Sequence, residues 1–267
     1  MPEKWTKILQ LKPKSIFVIA LGVASLIGNR GFLLAQSDKR TNSHAQGVEI
    51  SFDPPDRGTP LSNEGTGSRG DCLYKPSLPP LQSLAGKNHL KLTTSDRPTF
   101  WIYLPYTQTE APYGEFSLQV GDDEIYRTRF RLTAKPGIVG VSLPSTVAPL
   151  EVGKEYRWYF DINCSASASS DDLSTPASLT GMVERVSFSA NFARELKTAS
   201  KPINRIATYT KHGIWYDAVT ELAQLRLEQP ENPTLKQAWS QLLSDRHVNL
   251  EEISSEPILG NVKIIKQ

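Results

Sequence analysis

The chain has 267 residues, 39% hydrophobic and 22% charged, with a formal net charge of +2 at pH 7. Five of its 30 basic residues (Lys4, Lys7, Lys12, Lys14, Arg30) and one of its 28 acids (Glu3) lie in the first 35 positions, leaving 25 against 27, a net −2. The apparent basicity therefore belongs to the N-terminus, and the remainder lacks the basic field expected of a nucleic-acid protein.

Residues 1–35 have the layout of a secretory signal. A lysine-rich start precedes an uncharged apolar run, Ser15 to Gly28, then the Asn29-Arg30-Gly31 break and Phe32-Leu33-Leu34-Ala35. Leu33 and Ala35 suit the −3 and −1 positions, so cleavage is expected after Ala35. The alternative is an uncleaved anchor, but the run is short for a span of roughly 20 residues. No cysteine lies near the cleavage point and no second long apolar run follows. The expectation is an exported chain without a membrane span after cleavage, in a periplasm, thylakoid lumen or extracellular space.

Residues 36–71, polar and rich in Gly, Ser, Asn and Asp, read as a flexible linker. Within it Gly65-Thr-Gly67-Ser-Arg-Gly70 matches a dinucleotide fingerprint, but neither a buried strand before it nor a helix after it is predicted, so nucleotide binding is not expected. Arg69-Gly70-Asp71 is a tripeptide too short to carry an adhesion function.

Residues 72–189 read as strands. Pro98 to Leu104 is apolar on both faces and predicts a central strand. Glu115 to Val120 alternates, with Phe116, Leu118 and Val120 on one side. After the Gly121-Asp122-Asp123 turn, Tyr126, Phe130 and Leu132 oppose Arg127, Arg129 and Arg131, so the two runs predict a hairpin. Gly137 to Leu143 follows. Tyr156, Trp158, Phe160 and Ile162 then alternate with Glu155, Arg157, Tyr159 and Asp161, and Cys164 keeps the buried parity. Cys72 and Cys164 are the two cysteines; in an oxidising compartment they predict a disulfide across the core. Such a bridge closes a loop of about 93 residues, worth about 4–5 kcal/mol in the chain-entropy model. Short strands at even spacing predict a β-sandwich, and Leu150-Glu-Val-Gly-Lys-Glu-Tyr156-Arg-Trp158 looks like the tyrosine corner of immunoglobulin and fibronectin-III domains. Residues 165–178 read as an exposed loop.

Near residue 190 the apolar period lengthens. Phe188, Phe192 and Leu196 fall four apart; Trp215, Ala218, Val219, Leu222 and Leu225 share a helical face; Pro230 ends it. Asn232-Pro233 predicts an N-cap with proline in the first turn, and Leu235, Ala238, Trp239, Leu242 and Leu243 form the next stripe. Residues 202–245 resemble one tetratricopeptide unit, with Gly213, Trp215, Ala218, Pro230 and Tyr209 at the family's positions and departures at Pro202, Arg205 and Ile206. The expected architecture is α+β: an immunoglobulin- or fibronectin-III-like β-sandwich over 72–189, a tetratricopeptide-like helical hairpin region over 190–250 docked on it, and a C-terminal tail over 251–267.

Candidate chemistry is sparse. His44, His89, His212 and His247 have no metal-ligand spacing, and no G-x-S-x-G elbow occurs. No catalytic residue, cofactor or metal site is assigned. Glu184 and Asp217 are the carboxylates that could serve a hydrolase if a cleft paired them. Tyr106 and Tyr113, at the Pro105–Pro112 loop, are the expected ligand-facing aromatics.

Five ordered blocks resemble a cyanobacterial exported family, the domain of unknown function 928: Gly67 to Cys72, Arg97 to Pro105, Lys135 to Val139, Leu150 to Trp158 and His212 to Ala218. The resemblance spans roughly residues 67–250. It implies an envelope or luminal location and no particular activity. The resulting expectation is a non-enzymatic interaction module with an envelope protein partner; the alternatives are binding of polysaccharide or peptidoglycan, and a carboxylate hydrolase.

Overall fold

The computed structural model describes residues 48, 50–53, 72–85, 90–164 and 177–265. The expected signal over residues 1–35, the Gly65–Gly70 and Arg69–Asp71 motifs, His44, His89 and most of the 165–178 segment lie outside the described residues.

The strands are β1 (Gln82–Ser83), β2 (Leu92–Thr93), β3 (Thr99–Leu104), β4 (Tyr113–Val120), β5 (Asp123–Arg131), β6 (Gly137–Ser142), β7 (Glu155–Asn163) and β8 (Ala177–Arg185). Four helices follow: α1 (Ala190–Thr198), α2 (Pro202–Lys211), α3 (Trp215–Glu228) and α4 (Pro233–Leu243). Two more strands, β9 (Ile258–Asn261) and β10 (Lys263–Ile264), end the described chain. They build one sheet of order β1-β3-β6-β9 and a second of order β10-β5-β4-β7-β8-β2. The architecture is thus mixed α+β, two sheets with the helices gathered toward the C-terminus.

The alternating runs become the centre of the larger sheet. Phe116 and Leu118 of β4, Phe130 of β5, and Trp158, Phe160 and Ile162 of β7 are buried on one side. Arg127, Arg129, Arg131 and Arg157 stand on the other. β4 pairs antiparallel with both β5 and β7. β3, apolar on both faces, is buried along its whole length. Gly181 is needed where it stands: a Cβ there would come within 2.2 Å of the Trp158 indole, so only glycine lets that ring lie on the β8 backbone. The Tyr156 hydroxyl accepts the Glu151 N–H at 2.9 Å.

Helix boundaries follow the sequence signals. Ser189 caps α1 by accepting the Phe192 N–H, and Asn232 caps α4, with Pro233 in its first turn. Gly213, at φ +68°, turns the chain between α2 and α3 in a conformation that a side chain would strain. No helix among the described residues is long and apolar enough to cross a membrane.

Two segments differ from the sequence reading. Part of the 36–71 linker is packed: Ile50 and Phe52 are buried, Phe52 meets the Trp215 ring edge-on at 5.2 Å, and the Asp53 N–H donates to Thr210 O. The 251–267 tail contains strands. β9 runs parallel to β6 in the smaller sheet and β10 antiparallel to β5 in the larger. Consecutive residues of one short segment therefore extend both sheets, and they pair with partners more than 100 residues earlier in the chain.

Cys72 and Cys164 form a disulfide with a sequence separation of 92. Reduction is expected to lower unfolding stability by about 4 kcal/mol, read as a fall in the urea midpoint with reductant present. An unchanged midpoint would mean that the bridge constrains nothing.

Candidate functional site

The first two turns of α3 carry four side chains, each bonded to a different part of the chain before them. Trp215, fully buried, donates its indole N–H to Leu84 O at 2.8 Å. The Tyr216 hydroxyl accepts the Trp158 indole N–H at 2.9 Å and donates to Met182 O at 3.0 Å. Asp217 accepts from Thr93 Oγ1 at 2.7 Å, from the Thr94 N–H at 3.0 Å and from Thr94 Oγ1. Thr220 Oγ1 accepts the Trp101 indole N–H at 3.0 Å. An aromatic helix end is buried here without orphaned polar groups, because each indole or hydroxyl finds a partner.

Tyr216, Asp217 and Thr220 help to line an open pocket of about 190 Å³ at the seam between α3, α2 and β2. Thr93, Ser95, Pro98, Tyr209, Tyr216, Asp217 and Thr220 line it. Burial pushes the Asp217 carboxyl above the usual carboxylate range, and the Thr94 and Thr93 hydrogen bonds oppose it. Burial also raises Glu221, one turn further along α3, against the pull of Arg205 at 3.2 Å. The Tyr209 phenol is raised by burial and then by the Asp217 charge.

The carboxylates nominated from sequence are not brought into one site. Asp217 lines the pocket, whereas Glu184 is not part of its wall; it pairs with Lys91 at 3.2 Å, beside Glu155 on the same ammonium. The pocket therefore presents one carboxylate whose acceptor positions are largely occupied by threonine donors. That suits a locked contact better than the paired acid and base of glycoside hydrolysis.

Tyr106 is not exposed. Only 5% of it is accessible, because the buried run of β3 continues through Pro105, and the Lys75 ammonium lies 5.8 Å from its ring. Tyr113 is half-buried on the outer face of the larger sheet, with the Arg129 guanidinium 5.4 Å over its ring. His212 lies 3.0 Å from Glu195, which His212 and then Lys211 hold at a pKa of about 2. No group of three or more potential metal ligands occurs among the described residues. Sequence reasoning missed Thr93, Thr94 and Thr220. Thr-Thr-Ser at 93–95 reads as ordinary strand end and turn, and no periodicity marks a hydroxyl that answers a residue 124 positions away.

A family model, the Domain of Unknown Function (DUF928), matches residues 64–258. The chain belongs to the DUF928 family. The match takes in both cysteines, every strand from β1 to β8, all four helices and Asp217. No curated protein and no solved structure matches the chain. The seam pocket therefore lies within the DUF928 region.

Asp217→Ala would leave the Thr94 N–H and two hydroxyls without their acceptor, and is expected to cost roughly 3 kcal/mol of unfolding stability. Because the folded carboxyl is raised, its favourable contribution is fully present below about pH 3.8, the ordinary value, and is lost as pH rises through the folded value. Urea denaturation across that range should show this loss in the native chain and its absence in Asp217→Asn. Parallel profiles would contradict the assignment.

Proposed function

We propose that this DUF928 chain is an exported, non-enzymatic binding module of the cell envelope, and that it docks a protein partner through the α1 side of its helices. The disulfide supports the compartment, since such bridges persist where the surroundings are oxidising. The finer fold reading accompanies it: the Tyr156–Glu151 bond favours an immunoglobulin- or fibronectin-III-like sandwich, and the Gly213 turn a tetratricopeptide-like α2–α3 pair.

The observation that carries the reading is an exposed aromatic stack. Phe188 is 50% exposed and lies parallel to Phe192 with ring centroids 5.2 Å apart. Phe192 is itself buried against Tyr209 and His212. An anchored ring beneath an open one is a preorganised aromatic contact, the kind of group that dominates protein interfaces. Glu195, Asn204 and Lys211, with Ala199 and Ala207, line an open groove of mixed polarity between α1 and α2. An apolar centre with a polar rim is the usual anatomy of such surfaces.

The test is capture from envelope extract by the mature chain and by Phe188→Ala. Phe192 remains to anchor α1 in the variant, so folding should be retained. The expectation is one discrete protein recovered at a defined ratio, with affinity about tenfold weaker for the variant. Background alone, or equal recovery by both chains, would contradict the proposal.

A further inference from the structure

The outer face of the larger sheet carries a charge arrangement that the fold does not explain. In the registered pairing, Lys263 of β10 stands opposite Arg131 of β5, Arg131 opposite Tyr113 of β4, and Tyr113 opposite Asn163 of β7. These four residues form one row crossing four strands, roughly 14 Å long. Like charges directly opposite each other destabilise a sheet. Arg131 and Lys263 are both exposed, and neither makes an ion pair with a described residue.

The neighbouring charges are settled among themselves. Arg127 pairs with Glu124 and Glu115, and Arg129 reaches Glu115 at 3.2 Å. Glu115 stands opposite Asp161, whose carboxyl is raised first by burial and further by the Glu115 charge. Positive charge is thus doubled without an ion pair to a described residue at the Lys263–Arg131 end of the row. Directly beside it, the Tyr113 ring lies under the Arg129 guanidinium.

We propose that the Lys263–Arg131–Tyr113 row is a docking strip for a carboxylated polysaccharide. The two cations answer the carboxylates, Arg131 in the forked geometry that suits them. The Tyr113 ring gives a sugar ring a flat apolar edge, and the Asn163 amide can exchange hydrogen bonds with hydroxyls. The row is extended and flat, and cross-strand spacing presents these groups at intervals close to the length of one sugar residue. The strip lies on other elements than the Phe188 stack and is independent of the protein-partner reading.

The experiment uses the full mature chain in affinity electrophoresis and calorimetry. The probes are polygalacturonate, neutral dextran of similar length and poly-glutamate. Polygalacturonate is expected to bind and to weaken with salt, and dextran to give no retardation. Arg131→Ala with Lys263→Ala should weaken polygalacturonate binding at least tenfold while leaving the melting midpoint unchanged or raised, since a repulsion is removed. Tyr113→Leu should weaken binding and Tyr113→Phe retain it. Absence of polygalacturonate binding, or wild-type binding by the double variant, would overturn the proposal. Poly-glutamate binding equal to polygalacturonate would overturn it in favour of an acidic protein segment. A lowered midpoint in the double variant would contradict the repulsion on which the strip rests.

Discussion

The Tyr216 hydroxyl sits between the Trp158 indole N–H and the Met182 carbonyl, and the rest of the structure depends on that three-way contact. It joins the first turn of α3 to β7 and β8 of the larger sheet. Around it Phe100 packs against Trp158, Tyr216 and Phe116, drawing β3 of the smaller sheet into the same cluster. Tyr216 is wholly buried, and burial keeps its phenol neutral far above the ordinary range, so the hydroxyl stays a donor at any physiological pH. One aromatic residue thereby ties together two sheets and a helix.

The neighbouring contacts work in the same direction. Trp215 reaches Leu84, Asp217 reaches Thr93 and Thr94, and Thr220 reaches the Trp101 indole. A helix fixed along its first two turns by partners on four separate segments cannot rotate or slide without breaking several buried hydrogen bonds together. That rigidity accounts for the small, hydroxyl-rich pocket at the seam. α1, which buries only Phe192, sits on α2 through Tyr209 and leaves Phe188 open. The segment after α4 completes the arrangement by adding a strand to each sheet, so the helices are enclosed by sheet-forming chain on both sides of the sequence.

Much of this was legible in the residues. Alternation in β4, β5 and β7 is a local signal of period two, and it reports burial faithfully because one sheet face is packed and the other solvated. The parity of Cys164 followed from the same alternation. Stripes on α3 and α4, with Asn232-Pro233 between them, are equally local. What escaped is non-local. Ile258 to Ile264 is short and weakly patterned, and pairs with β6 and β5 far upstream, so nothing nearby marks it as strand. Phe52 lies in a polar stretch and is recruited by Trp215. Tyr106 follows Pro105 and looks like a loop residue, yet it continues the buried line of β3. The Asp217 site illustrates the limit best. Its carboxylate was visible as a candidate, but its three donors come from Thr93 and Thr94, and only the folded chain shows that they saturate it.

The central claim is that α3 binds sheets and helices into one cooperative unit, with no independently folding helical hairpin. Native-state amide hydrogen exchange tests it most directly. The account predicts that the interior amides of α3 exchange with the same opening free energy as those of β4 and β7, and through global unfolding. Exchange of α2, α3 and α4 at a distinctly lower free energy, while β4 and β7 remain protected, would contradict it.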